Sequence, residues 1–508
     1  MKRLINLSLL VVLLAFVGCS SDYLDEQPSQ FLNVNQLQEA AEVNPDITRG
    51  FVDGIYTFMV RAGSGGTTSH ADFGHKGFDV MSDMMSSDMA LSVSTFGWYR
   101  AAITEYLAMQ DFTFGENFMA WRFYYTIIRS ANTVIELQGG ADAVPELAEN
   151  RHILGQALAL RAFAYYNLSV YMGNDFNPEH EILPLLTEPI GEGIARSSMA
   201  DIFALIESDF NTSITLLDDF TRSSKSQINK YVAKGMLAYA LAYTRDVSRM
   251  QEVADLTNEV ITEGGHTLMN SQEVLGGFNN IQTSGWIWGI PITVDLGIDL
   301  ISFWGQVDHF HFSYAWAGDF KTIDNALFAQ IPANDIRRLQ FKFPGHPNEN
   351  TGTNAQIYPL QPFFKFYAPE RVIGGASRPS TSDYVYMRVA EMLLLNAEAN
   401  AKAGNTGAAQ ASLSALVSQR LTTGDASYIN SLSGQDLLDE IFLQTRIELW
   451  GEGKTYQAIK RNQRNMVRAG TNHLSNLGLS LPHNADMFTF QIPEREIQDN
   501  PNINSQNP

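Results

Sequence analysis

A single cysteine, Cys19, occurs in 508 residues, so no intramolecular disulfide can hold this chain together. Basic residues are scarce: 34 Lys and Arg stand against 55 Asp and Glu, a formal net charge of −21. A field of that sign repels phosphate backbones and excludes nucleic acid as a partner. Apolar runs are short, and none reaches the ~20 residues of a membrane-spanning helix. HExxH, GxSxG and the Walker loop are missing; Gly63-Ser64-Gly65-Gly66 has no following lysine and reads as a flexible turn. No motif calls for a cofactor, and no long low-complexity segment interrupts what has the hydrophobic and aromatic content of a folded globular protein.

The lone cysteine follows an export sequence. Lys2 and Arg3 make a basic start, residues 7–17 are apolar except for Ser8, and Val17-Gly18-Cys19 closes the run. Eleven apolar residues suit the h-region of a signal peptide. A small residue before a cysteine is the arrangement of bacterial lipoprotein processing, with cleavage before Cys19 and a diacylglyceryl thioether on its sulfur. Phe16 departs from that pattern, where leucine is commoner, and leaves ordinary signal cleavage as the alternative. Acyl chains on Cys19 would anchor an otherwise soluble body. Ser20-Ser21-Asp22-Tyr23-Leu24-Asp25-Glu26 then forms a polar, acidic tether, resembling the signal that sends such lipoproteins to the outer leaflet.

Helices in pairs dominate the remainder. Ile153, Ala157, Leu160, Ala164, Leu168 and Tyr171 recur at helical spacing and share one face. A partner helix is predicted over 117–137, with Gly139-Gly140 between the two. Further hairpins are predicted over 231–261, turning at Asp246; over 386–403 and 407–421, turning at Gly404-Asn405; and over 435–450 and 454–468, turning at Gly451-Glu452-Gly453. The fold class is therefore mainly α, a tetratricopeptide-like scaffold. Residues 266–380 lack helical periodicity and read as loops and short strands inserted into it, Ile287-Trp288-Gly289-Ile290 among them. The expected divisions are a signal peptide at 1–18, a tether at 19–30, an N-terminal helical region at 31–265, the insertion at 266–380 and a C-terminal helical region at 381–508.

Five motifs, taken in order, carry a resemblance. They are the start Cys19-Ser20-Ser21-Asp22-Tyr23-Leu24-Asp25; Arg161-Ala162-Phe163-Ala164-Tyr165-Tyr166-Asn167-Leu168; and Asp324-Asn325-Ala326-Leu327-Phe328 with Asp335-Ile336-Arg337. Arg388-Val389-Ala390-Glu391-Met392-Leu393-Leu394-Leu395-Asn396-Ala397-Glu398 and Arg446-Ile447-Glu448-Leu449-Trp450-Gly451-Glu452-Gly453-Lys454 complete the set. The ordered set resembles the SusD/RagB family of surface nutrient-uptake lipoproteins. Lys454 stands where the family usually has arginine, and Gln457-Ala458-Ile459 replaces an aspartate-leucine pair, which puts local ion pairing in doubt. The resemblance implies a non-enzymatic, glycan-binding lipoprotein of the cell outer membrane that caps a SusC-like TonB-dependent transporter. The RagB branch implies peptides as the alternative cargo, and a scaffold without small ligand is a further reading.

The residues themselves offer little catalysis. Glu391 and Glu398 make the best carboxylate pair, but seven helical residues separate their Cα atoms by about 10.5 Å, beyond the ~5–9.5 Å of glycoside hydrolysis. Their Ala- and Leu-rich helix, and Arg388 three residues earlier, favour scaffold ion pairing. His309 and His311 share a side if their segment is a strand, yet no third metal ligand has suitable spacing, so a polar rim is expected. Ligand contacts are better served. Four of seven tryptophans, Trp286, Trp288, Trp304 and Trp316, fall close together with Tyr314 among them, and Trp98-Tyr99 follows an acidic stretch containing Asp83. Flat rings suit the C–H faces of sugars while carboxylates accept from hydroxyls. Trp286, Trp288 and Phe303 are expected in the core; Trp98, Tyr99, Asp83, Trp304, Tyr314 and Trp316 are the candidate ligand-binding residues.

Overall fold

A computed structural model describes residues 34–189, 191, 193–373 and 378–507. The expected signal peptide, Cys19 and the acidic tether lie outside the described residues. Helices of eight or more residues are α1 (Val34–Val43), α2 (Asp46–Phe58), α3 (His75–Met85), α4 (Gly115–Leu137), α5 (Ala148–Met172), α6 (Met199–Leu216), α7 (Lys230–Thr244), α8 (Met250–Glu263), α9 (Val389–Lys402), α10 (Thr406–Ser418), α11 (Gly434–Glu448) and α12 (Lys454–Arg461). Among the described residues, eight short strands make four antiparallel pairs: β1 (Met89–Ser94) with β5 (Asp319–Ile323), β2 (Glu181–Pro184) with β3 (Arg196–Ser198), β4 (Trp286–Ile290) with β6 (Tyr384–Arg388), and β7 (Met466–Val467) with β8 (Ser480–Leu481). The predicted mainly α, tetratricopeptide-like class is the observed one. No described helix is long and apolar enough to cross a membrane.

From α5 to α8 each helix packs on its predecessor: α5 on α4, α6 on α5, α7 on α6, α8 on α7. The α4–α5 hairpin turns where Gly139 and Gly140 take φ of +93° and +106°, a conformation glycine adopts without steric cost. α5 is buried almost all round, which places it at the centre of the array. Its buried Arg161 meets Asp209 of α6 through two bonds of 2.7 Å, and its third nitrogen donates to Asn132 Oδ1 of α4 at 2.9 Å. One family-motif residue thus ties three helices. α6 itself went unpredicted, although Met199, Ile202, Phe203, Ile206 and Phe210 repeat at helical spacing and are all buried, and Ser198 caps the start by accepting from Asp201 N.

The array does not stop at the insertion. α9 packs directly on α8 although about 125 residues separate them in the chain. Asn396 of α9 donates to Ala254 O at 2.8 Å and to Thr257 Oγ1 at 3.0 Å on α8. The β4–β6 pair, Trp286 opposite Arg388, brings the two ends of the excursion together. Two predicted helices are shorter than expected. Residues 384–388 are strand, and α9 begins where Glu391 Oε1 accepts from Arg388 N at 2.9 Å. α12 ends at Arg461 rather than 468, with Gln463 in a left-handed turn and Met466 already paired in β7. α12 closes the body by packing on both α3 and α7.

The later motifs converge on one buried ion cage. Glu448, at the end of α11, receives Arg388 at 2.7 Å, Arg420 at 2.9 Å and Arg337 at 3.2 Å. Glu452 receives Arg388 at 2.7 Å and Lys365 at 3.0 Å, and Asp335 receives Arg337 at 2.6 Å. All seven side chains are buried. Burial alone would raise the Glu448 carboxyl, but Arg420, Arg388 and Arg337 outweigh it and hold the group well below the usual range. Glu452, buried too, is drawn down to about 2 by Arg388 and Lys365. Glu391 and Glu398 are equally structural. Glu398 takes Arg461 at 2.7 Å and Lys402 at 2.8 Å, and Glu391 takes Lys454 at 3.2 Å. The expected Arg388–Glu391 side-chain pair is replaced by Arg388–Glu448 and Arg388–Glu452. Lys454 keeps an ion pair despite its departure from the motif.

Candidate functional site

The antiparallel register of β1 and β5, with Ser94 opposite Asp319, sets the loop after β1 beside the turn before β5. Thr95 N donates to Gly318 O at 3.2 Å, and both Thr95 N and Phe96 N donate to Asp319 Oδ1. An early loop and a turn of the insertion, more than 200 residues apart, are thereby fastened edge to edge. Their aromatic side chains gather there. Trp98 is half-buried and stacks on His70, ring centroids 4.8 Å apart and planes within 5°. Tyr314 meets Trp98 edge-on at 6.2 Å and Phe96 edge-on at 5.2 Å, and its hydroxyl is hydrogen-bonded to His70 Nδ1. Phe96 is 52% exposed and Trp316, on the same turn as Tyr314, is 39% exposed. On β5 itself Phe320 stacks at 4.6 Å on Tyr358, another exposed ring.

The platform has a rigid floor. Tyr99 is buried with φ of +65°, a backbone state that is strained for a bulky residue and persists only where its surroundings enforce it. Lys321 lies beneath, 5.4 Å from the Tyr99 ring and 5.9 Å from the Tyr314 ring. Its Nζ donates to Gln306 Oε1 at 2.7 Å, and Gln306 Nε2 donates to His70 O at 3.0 Å. Burial pushes the Lys321 amine down to about 7, with Asp319 opposing the shift only in part. This chain of contacts fixes His70, and with it one face of Trp98.

Beside His70 opens a cleft of about 440 Å³ lined by Arg61, Ala62, His70, residues 296–301 including Asp299, and Arg378, a size suited to a sugar or short oligomer. Arg378 holds Asp299 through Nε at 2.8 and 2.9 Å and lies 4.0 Å above the Phe312 ring. A second cleft of about 320 Å³ lies between α4 and the C-terminal segment, with Trp121, Tyr125, Arg122 and Glu496 in its wall. There the Trp121 indole N–H donates to Glu496 at 3.2 Å and the ring is only 6% exposed, which leaves the half-buried Phe118 as the more open ring of that wall.

The six sequence candidates divide. Trp98, Tyr99 and Tyr314 come together, with Tyr99 buried beneath the others and Trp316 on the same turn as Tyr314. Asp83 and Trp304 do not join them: both are core residues. Asp83, fully buried on α3, accepts from Gly451 N at 2.5 Å. Trp304 is 1% exposed, its N–H donating to Ser382 O at 2.7 Å. The acidic stretch looked ligand-facing because its charge was read without its partners. Trp286, Trp288 and Phe303 are buried, as expected of core rings. His309 and His311 form no rim; both are buried, and their segment is a turn rather than a strand. His70, Phe96, Arg61 and Arg378 went unpredicted. Phe96-Gly97-Trp98, two rings about a glycine turn, was the one signal that pointed to any of them.

Two family models match this chain. One, described as the SusD family, matches residues 335–508. The other, described as starch-binding associating with outer membrane, matches residues 22–241. Among curated proteins, SusD-like protein P2 of Formosa agariphila is 24% identical over 442 residues, covering 79% of this chain and 83% of the relative. A SusD-like carbohydrate binding protein from Bacteroides vulgatus superposes with a TM-score of 0.73 at 24% identity, over 90% of this chain and 96% of the other. Surface glycan-binding protein A from Bacteroides thetaiotaomicron gives a TM-score of 0.68 at 16% identity, over 91% and 98%. At these identities the solved structures establish the shared fold.

Proposed function

The chain belongs to the SusD-like family, and from that premise we propose that it is a glycan-binding lipoprotein of the outer membrane. It captures oligosaccharides at the cell exterior and passes them to a SusC-like TonB-dependent transporter, which it caps. The observation that carries the binding role is the platform: half-buried Trp98 and exposed Phe96 and Trp316, fastened together by β1 and β5 beside a cleft of about 440 Å³. Exposed rings in a rigid setting offer broad apolar faces to sugar C–H groups at little entropic cost. Membrane attachment runs through lipid on Cys19, since acyl chains supply the affinity that the acidic surface does not.

A glycan array followed by titration calorimetry tests the cargo. Binding of oligosaccharides, lost in a Trp98→Ala, Trp316→Ala double variant, is the expected result. Binding to oligopeptides alone would replace the glycan with the peptide cargo of the RagB branch. Cys19→Ala should move the protein out of the membrane fraction, and protease shaving of intact cells should remove the wild type from them.

A further inference from the structure

Resting on the glycan reading above, we propose that the ligand carries negative charge: an acidic oligosaccharide whose carboxylate or sulfate is held in the cleft beside Trp98, at Arg61 and Arg378. The molecule as a whole is strongly acidic, with a formal net charge of −21, so a place where cations outnumber anions stands out against its field. The cleft is such a place. Arg61 and Arg378 both line it and Asp299 is the one carboxylate among its lining residues.

The two guanidiniums are differently prepared. Arg378 is held in place: Nε and Nη2 are spent on Asp299, and the guanidinium plane sits on Phe312 at 4.0 Å. Its Nη1 makes no hydrogen bond to the described protein and remains as a donor. Arg61 is exposed, and no described side chain pairs with its guanidinium. A planar guanidinium with free N–H groups is suited to an oxyanion, which it can grip through two parallel bonds. Below Arg378 the picture is the same. His311 is 1% exposed and its Nε2 has no partner; burial lowers its pKa and Arg378 adds to that, while Asp299 and Glu370 oppose it. Among the residues lining the cleft, Asp299 is the one carboxylate set against the two arginines.

The spacing with the platform completes the case. His70 belongs to both features: its ring backs Trp98, and the same residue lines the cleft. A glycan stacked on the open rings of the platform reaches the arginines by extending past His70, the residue the two features share. Stacking tolerates many sugars, whereas a cationic cleft discriminates by charge, so selectivity resides in the cleft.

Oligogalacturonate and its methyl ester make a matched pair, alike in ring and linkage but differing in charge; a sulfated galactan oligosaccharide and its desulfated form make a second. Calorimetry on the full soluble protein should show at least one charged member binding about tenfold or more tighter than its neutral twin, with an affinity that falls as salt rises. Which pair discriminates tells carboxylate from sulfate. Arg61→Ala should remove most of that preference and Arg61→Glu should reverse it, while an unchanged melting temperature confirms that the exposed residue is not structural. Neutral members binding as well as or better than charged ones, or a charge preference untouched at Arg61, overturns the inference and leaves the glycan reading intact. No binding by any glycan, charged or neutral, overturns both.

Discussion

The ion cage around Glu448 and the aromatic platform around Trp98 are built on opposite principles. In the cage, charges are buried and paired with one another; three arginines converge on one carboxylate, and removing that carboxylate strands them. The platform is mostly rings, several partly exposed, with contacts that are weak singly and tolerant of change. Their sequence signatures differ accordingly. Cage residues supply the recognisable motifs, Asp335 to Arg337, Arg388 and Glu448 to Glu452, because a buried charge accepts few substitutes. The residues of the platform belong to loops, where sequence is free to follow the ligand. The recognisable motifs thus sit in the buried cage and not among the exposed rings of the platform.

Breaking the cage should give the largest effect. Glu448→Gln leaves Arg337, Arg388 and Arg420 sharing a neutral group in a buried setting, at a cost of about 3–5 kcal/mol. The outcome is a melting temperature lower by many degrees, or no soluble protein; an unchanged transition would show that water or another carboxylate can replace Glu448. Acid should attack the same region. Because the Glu448 and Glu452 carboxyls are depressed when folded, their contribution is complete above the unfolded value of about 4.5. It is lost as pH falls through that value towards about 2, the folded value of Glu452. Melting temperature measured from pH 6 to pH 2.5 should fall steeply below about 4.5, and a flat profile would contradict the cage.

The platform should behave in the opposite way. Trp316→Ala should weaken glycan binding about tenfold, about 1.4 kcal/mol, with melting unchanged because the ring is 39% exposed. Trp98→Ala should cost similar affinity and a small amount of stability, since it also abandons the stack on His70. If either variant melts like a cage variant, the contrast between the regions fails. The smallest effect concerns Asp83, which sequence reasoning assigned to the ligand. Burial pushes its carboxyl well up, the neighbouring Asp88 and Asp79 add to that, and Gly451 N–H opposes it. A raised acid favours the protonated folded state, so its stabilising effect is lost as pH rises above the unfolded value of about 3.9. Asp83→Asn should therefore melt about 1–2 °C higher than the wild type at pH 8, with a smaller gap at pH 5, and leave glycan affinity alone.

How much of this was legible in the sequence follows from what each feature depends on. The α4–α5 and α7–α8 hairpins were readable because local signals agree: apolar residues at helical spacing, with Gly139-Gly140 or Asp246 at the turn. α6 was readable by the same rule and went unread. The β6–α9 boundary was not, because Tyr384 to Leu395 is an almost unbroken apolar run in which strand and helix periods cannot be told apart; only the bond from Arg388 N to Glu391 marks the change. For the candidate site, tryptophan clustering pointed to the loops that carry Trp98, Tyr314 and Trp316, but clustering cannot say which rings face outward. Trp304 and Trp316 lie 12 residues apart in the same aromatic segment, and one is core while the other is surface. That distinction comes from β1 pairing with β5, a long-range contact with no local trace.

The seating of α9 on α8 has a consequence for how the protein comes into being. Val253, Ala254, Thr257 and Val260 are buried residues of α8, and α9, which carries the Asn396 bonds to that helix, lies about 125 residues further along the chain. A polypeptide emerging from its N-terminus reaches α8 long before the partner exists, and presents an unfinished, sticky edge for the whole time the insertion is being delivered. Contacts this distant in sequence form late and slowly. Until residue 402 has been made, the half-built solenoid is the vulnerable species, and only then can α9 cover the waiting face of α8.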